Sequence, residues 1–229
     1  MRLIIGFLTA ALITVLFRKQ IHKYPWVFYG ISILLVVFFL TSQTSILPVW
    51  VMQYIYVIFQ SNTLAMGFFT IVMFTGALYH ESSLRKALMP IRAELSIIAS
   101  LLSIAHVVNY GQAYLLQILS VEITMPLVRL FASLLSFFLV ALLIPLFITS
   151  FRAVRSRMSA KAWKRVQWLA YPFYLLIFLH ILSFLLIPVL AGKFEPTLRL
   201  NLYMVLLVAY IFLRVKRFRL RKFVPATAQ

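Results

Sequence analysis

The 229-residue chain has no cysteine, only 4 acidic residues and only 6 glycines. Without cysteine there are no disulfides, no thiolate catalysis and no Cys-ligated zinc or iron–sulfur site. The few glycines leave no Gly-rich phosphate loop of the kind that opens a soluble flavin or nicotinamide domain. The four acids, Glu81, Glu94, Glu122 and Glu195, all fall at the ends of apolar runs or between them. Proton and cation pathways rely on ionisable groups inside the membrane, so this placement argues against a transporter. Charged residues make up 11% of the chain, against about 25% in soluble domains.

What remains is apolar and basic. The chain is 64% hydrophobic with a mean hydropathy of +1.01, which excludes a soluble globular domain and a disordered one. A net charge of +18 on a soluble protein would point to nucleic acid. On a membrane protein it points to basic loops gathered on one side. Apolar runs of about 17–25 residues are long enough to cross a bilayer as helices. Seven are present, at about 1–17, 25–41, 62–80, 93–115, 126–150, 166–190 and 198–214. No alternation of about ten residues recurs, so membrane strands are excluded. The sequence thus predicts an all-α polytopic membrane helix bundle of about seven spans. The first run carries Arg2 ahead of it, but no A-x-A-like cleavage site follows and Arg18 and Lys19 close it, so it reads as a retained helix. The stretch 47–59, with Pro48, Trp50, Tyr54 and Tyr56, reads as an interfacial segment with aromatic anchors.

Eighteen of the 22 basic residues fall in segments 18–24, 81–92, 151–165 and the tail from 214. With seven spans these four segments share one face, which the positive-inside rule makes cytoplasmic. The N-terminus is then expected outside and the C-terminus inside a plasma (cytoplasmic or inner) membrane. Nothing in this distribution calls for nucleic acid as a partner; the partner is the lipid bilayer.

Ionisable residues within spans are the default candidates for function. His22 and His80 stand at cytoplasmic span ends and read as solvated or headgroup-level residues. His106 and His180 lie well inside their runs. His106 is 14 residues beyond Arg92, and His180 is 15 beyond Arg165. At about 1.5 Å per residue both rise roughly 21–23 Å above the basic rim. Two imidazoles at one height, on spans of the same direction, have the geometry of two axial ligands of one b-type haem. The other reading open at this point is that each ring bonds a neighbouring carbonyl or serine, such as Ser103 or Ser183. A two-His metal site without haem is disfavoured, because zinc or iron normally takes three or four protein ligands. Ser96, Ala99, Ser100 and Ser103 permit close helix approach before His106. Phe173, Tyr174, Phe178 and Phe184 crowd His180, as core packing or as a porphyrin wall.

The run Met89-Pro90-Ile91-Arg92-Ala93-Glu94 through His106 to Tyr110, followed by Trp163 to Tyr171 and on to His180, resembles the ferric reductase-like transmembrane domain family. Within that family it is most similar to the MsrQ (YedZ)-type haem-binding membrane subunits. The resemblance covers roughly 60–215. It implies a six-span core, whose third and fifth helices are the fourth and sixth spans here when the first N-terminal span is discounted; its haem-binding part is 61–215, with two membrane helices and the interfacial segment in 1–60 before it and a basic tail, 216–229, after it. It also implies haem b between the third and fifth core helices, with the outer axial ligands on His106 and His180. The family pattern W-x-x-L-H-x-L-x-Y is matched by Trp163, Val166, Leu169 and Tyr171, but Gln167 stands where it has histidine. Arg92 stands where the other inner ligand would fall. A single, outer-side haem is therefore expected, with His80 or His22 as remote substitutes for an inner ligand.

The resemblance further implies an electron-transfer subunit of an oxidoreductase system. Its donor would be a membrane quinol, a bound flavin such as FMN, or a separate reductase. Arg92, Arg152, Lys164 and Arg165 are the candidate contacts for a flavin, a quinone or lipid headgroups; Arg155 belongs to the same basic cluster. The acceptor would be extracytoplasmic, and in MsrQ-type systems it is a periplasmic molybdenum-containing methionine sulfoxide reductase. The alternative is a haem-free membrane scaffold or interaction subunit that has kept the fold.

Overall fold

The computed structural model describes residues 2–41, 47–119 and 126–223; Glu122 and the last residues of the basic tail lie outside them. The described residues form a helix bundle with no strand. Its helices are α1 (Arg2–Lys23), α2 (Pro25–Leu40), α3 (Val49–Gln60), α4 (Thr63–Ala77), α5 (Ser83–Leu88), α6 (Arg92–Leu119), α7 (Leu127–Ser150), α8 (Arg152–Arg155), α9 (Ala160–Gln167), α10 (Ala170–Leu190) and α11 (Phe194–Phe223).

Among the described residues five helical stretches are long and apolar enough to cross a membrane, and α3 with α4 makes a sixth if that bent pair is one span. The remaining expected span, at 25–41, is the 16-residue apolar helix α2, roughly 24 Å long. The expected spans 166–190 and 198–214 each lie inside one longer stretch, Ala160–Leu190 and Phe194–Leu220. The first is broken at Trp168–Leu169, between α9 and α10, and the second extends at both ends as α11.

The segment expected at the interface, 47–59, is helical. Trp50, Tyr54 and Tyr56 are exposed on α3, and α3 meets α4 at an angle of 49°. Asn62 makes the bend. Its φ of 52° is left-handed, a conformation asparagine tolerates better than other side chains with a Cβ. The Asn62 amide donates to Ser103 Oγ at 3.2 Å, fastening the bend to α6. At the turn after α10, Gly192 (φ 71°) ends the helix, and the amide of Lys193 returns to the carbonyl of Pro188, closing the helix in the way a glycine past its end allows.

Packing makes α1 part of the core rather than an appendage. Ala10 and Ile21 of α1 are fully buried, as is Phe68 of α4. Gly6 and Ala10 on α1 face Thr63 and Gly67 on α4. Each helix carries two small residues four apart, which lets the backbones touch. Thr9 on α1 also shares a hydrogen bond with the Tyr54 hydroxyl of α3. Ala99, Ser100 and Ser103 are buried on α6, as their size led one to expect; α6 packs on α2, α4 and α7. Tyr174 of α10 donates to Thr70 Oγ1 of α4 at 3.2 Å in the buried interior. The large apolar side chains left exposed on α1, α7 and α11 form the surface a bilayer would cover.

Candidate cofactor site

Both span histidines open into one cavity of about 400 Å³, bounded by α4, α6, α7, α10 and α11. This lies within the range of about 300–1,000 Å³ typical of small-molecule and cofactor pockets. Its walls are mainly apolar: Met66, Phe69, Phe137, Leu139, Phe173 and Ile177 are among them. Arg199 is the one lining residue with a permanent charge, and Glu195, one turn earlier on α11, approaches it at 3.5 Å. The structure thus brings His106 and His180 to one cavity, and the path from Arg165 to His180 runs through α9 and α10.

The aromatic residues near His180 divide. Phe173 and Phe184 line the cavity, and the Phe184 ring lies edge-on to the imidazole at 5.1 Å. Tyr174 and Phe178 instead belong to a second apolar cluster with Tyr203 and Tyr210. On the opposite wall His106 lies against Tyr110, with centroids 4.9 Å apart.

Ser136 on α7 was not singled out by the sequence, and it has the clearest bearing on ligand chemistry. Its hydroxyl donates to the carbonyl of Ala132 at 2.9 Å. Its oxygen lies 3.2 Å from Nδ1 of His180, and the same ring also hydrogen-bonds the backbone at Ala132, the carbonyl contact the sequence left open. A histidine whose Nδ1 carries the proton presents the Nε2 lone pair, and a partner of this kind is the usual device for orienting a metal-bound imidazole. Ser103 and Ser183, the serine partners considered from sequence, donate to the carbonyls of Ala99 and Leu179 in their own helices. Among the described residues no group of three or more His, Asp or Glu could hold a metal ion. The donor set fits an iron that brings its own equatorial ligands, as in haem, with one imidazole from α6 and one from α10. Ser136→Ala should then weaken haem retention about 10–100-fold, read as haem lost to an apo-globin acceptor, with Ser150→Ala, buried on the same helix but outside the cavity, as the control.

The other sequence-predicted positions separate clearly. His22 and His80 are exposed; His80 pairs with Glu81 at 3.4 Å, and neither borders the cavity. Gln167 donates to Thr149 Oγ1 at 3.1 Å, and Trp163 Nε1 donates to the carbonyl of the same threonine at 3.1 Å, so both pin α9 to the end of α7. Arg92 donates through Nε to the carbonyl of Val72 at 3.2 Å. Arg92 and Gln167, the two positions where the resemblance would place inner ligands, are thus engaged with the carbonyl of Val72 and with Thr149.

A second cavity, of about 560 Å³, lies at the basic end. Arg92 and Lys164 line it, joined by Arg85, Arg214 and Arg217, whereas Arg152 and Arg165 do not; both of those are exposed. The two cavities adjoin. Phe69 borders the first and Met73 the second, one turn apart on α4, while Phe173 and Tyr171 do the same on α10. Their walls are thus separated by about 6 Å of helix rise on α4.

A multi-pass helical bundle with two imidazoles facing one internal apolar cavity has the form of a membrane electron-transfer component. The family model for ferric reductase-like transmembrane components matches residues 61–178; the chain belongs to that family. The matched stretch contains His106 and ends two residues before His180. An uncharacterized protein of Treponema pallidum (strain Nichols) is 39% identical over 158 residues, which is 69% of this chain and 43% of that relative. The chain spans less than half the length of this relative. No solved structure matches.

Proposed function

We propose that this protein is a b-type cytochrome subunit that holds a single haem between His106 and His180. Electrons enter from quinol or flavin, or from a separate reductase, on the basic, cytoplasmic side. They leave to an extracytoplasmic acceptor or partner reductase. One observation carries the reading: His106 and His180, on different helices, open into the same apolar cavity, with His180 oriented by Ser136. Haem bound there supplies one-electron oxidation and reduction at its iron. The chain contributes the rest. The apolar walls would keep water from the iron, and Arg199, paired with Glu195, is the cationic side chain that lines the cavity.

The engagement of Arg92 and Gln167 in structural hydrogen bonds favours a second reading, a haem-free scaffold that has lost the inner site and keeps the outer histidines as packing. Colour separates the two. Protein purified from haem-replete cells should show a Soret band that shifts on dithionite reduction and a sharp α band in the reduced state. A colourless preparation would leave the scaffold.

A further inference from the structure

The second cavity carries charge that the electron-transfer reading leaves unexplained. Arg85, Arg92, Lys164, Arg214 and Arg217 converge on it from four helices, and no carboxylate lines it. Each comes from a different part of the sequence or a different turn, so the convergence is a product of folding rather than of one basic loop. The described acids offer no neutralisation: Glu81 is bound by Lys86 at 2.7 Å, Glu195 faces Arg199, and Glu94 is not among the lining residues.

Part of the arrangement is structural. The carbonyl of Gly76, near the end of α4, accepts from Nη1 of Arg214 at 3.3 Å and from Arg217. Cations at a helix C-terminus are favourable there. The Arg214 guanidinium also lies 4.5 Å over the Tyr171 ring. Carbonyls and a ring do not neutralise net charge, however, and they do not satisfy the site. Arg85 Nε is buried with no hydrogen-bond partner, and so is the hydroxyl of Tyr210, which lies near Arg92, Arg214 and Tyr171. Buried donors left unpaired are costly, and like charges gathered within a Debye length repel. A bound anion removes both costs.

We propose that this cavity is a binding site for a phosphate group. Planar guanidinium forks match the tetrahedral array of phosphate oxygens and bond it bidentately. Lys164 adds a point charge at the exposed edge, where Trp168 offers an apolar face to the remainder of the ligand. The phosphate can belong to a glycerophospholipid headgroup from the surrounding leaflet or to a free phosphorylated solute; the recognition chemistry is common to both. The site stands independently of haem at His106 and His180.

The test uses the full-length protein in detergent at fixed ionic strength. It is titrated separately with inorganic phosphate and with phosphatidylglycerol in mixed micelles, phosphatidylcholine serving as the net-neutral reference. Saturable binding of at least one probe is expected. Loss of a charge-assisted hydrogen bond should weaken it about tenfold in Lys164→Gln and in Arg85→Gln. Arg152→Gln and Arg165→Gln, outside the cavity, should stay within about twofold. Phosphatidylglycerol alone identifies a lipid headgroup, inorganic phosphate alone a free solute, and both together a site open to either. Absence of saturable binding by both probes would overturn the proposal. So would equal weakening by the outside substitutions, which would mean diffuse surface charge. Lys164 is exposed, so its variant tests the site even if Arg85→Gln fails to fold.

Discussion

His106→Ala and His180→Ala are each expected to abolish the Soret band of the purified protein while leaving the bundle folded. Both rings border a cavity rather than fill close-packed space, so truncation enlarges an existing void and leaves the neighbouring contacts in place. The loss should exceed the 10–100-fold effect of removing a partner such as Ser136, because the ligand itself is gone. His22→Ala and His80→Ala are the matched controls. Both are exposed and away from the cavity, and their spectra should be indistinguishable from that of the parent. A bis-imidazole spectrum retained in either His106→Ala or His180→Ala would mean that the axial ligands lie elsewhere.

The second large effect falls on stability. A Cβ on Gly67 would lie 2.7 Å from Ala10 Cβ and 3.0 Å from the carbonyl oxygen of Gly6. A Cβ on Gly6 would lie 2.5 Å from Thr63 Oγ1 and 2.6 Å from its carbonyl carbon. Backbone atoms cannot swing aside, so α1 and α4 would have to separate. Gly6→Ala and Gly67→Ala should each cost about 1–3 kcal/mol or more, lowering the midpoint of thermal unfolding in detergent by at least about 3 °C. Gly30 provides the internal contrast. It lies in α2 with nothing within 4 Å of its would-be Cβ, so Gly30→Ala should be neutral or stabilising through helix propensity. Equal destabilisation at all three positions would show that the α1–α4 contact is not what makes Gly6 and Gly67 necessary.

Much of this architecture is legible one helix at a time. Apolar run length gives the helices, and a fixed rise per residue gives the common depth of His106 and His180, because both quantities are local to a helix. Ser136 is invisible by the same logic. It belongs to a third helix, and only tertiary packing brings α7 alongside α10. The basic rim shows the limit most clearly. Positive-inside charge looks uniform along a sequence, yet folding sends Arg85, Arg214 and Arg217 into the second cavity and leaves Arg152 and Arg165 on the surface. The two helix breaks also escape a hydropathy reading. Asn62 adopts its left-handed conformation within an apolar stretch and is fixed by Ser103, 41 positions away. The break between α9 and α10 falls inside what reads as one continuous run. The N-terminal helices lie outside the resemblance that begins near residue 60, but the small residues of α1 tie that helix to the first helix of the matched core.

The central claim is one haem per chain, held by His106 and His180, with Arg92 and Gln167 occupying the positions of an inner pair. The pyridine haemochrome assay on protein of known concentration measures this directly. One haem b per chain is the predicted result. Two per chain would contradict the single-haem account, and none after haem-replete expression would contradict the cytochrome reading altogether.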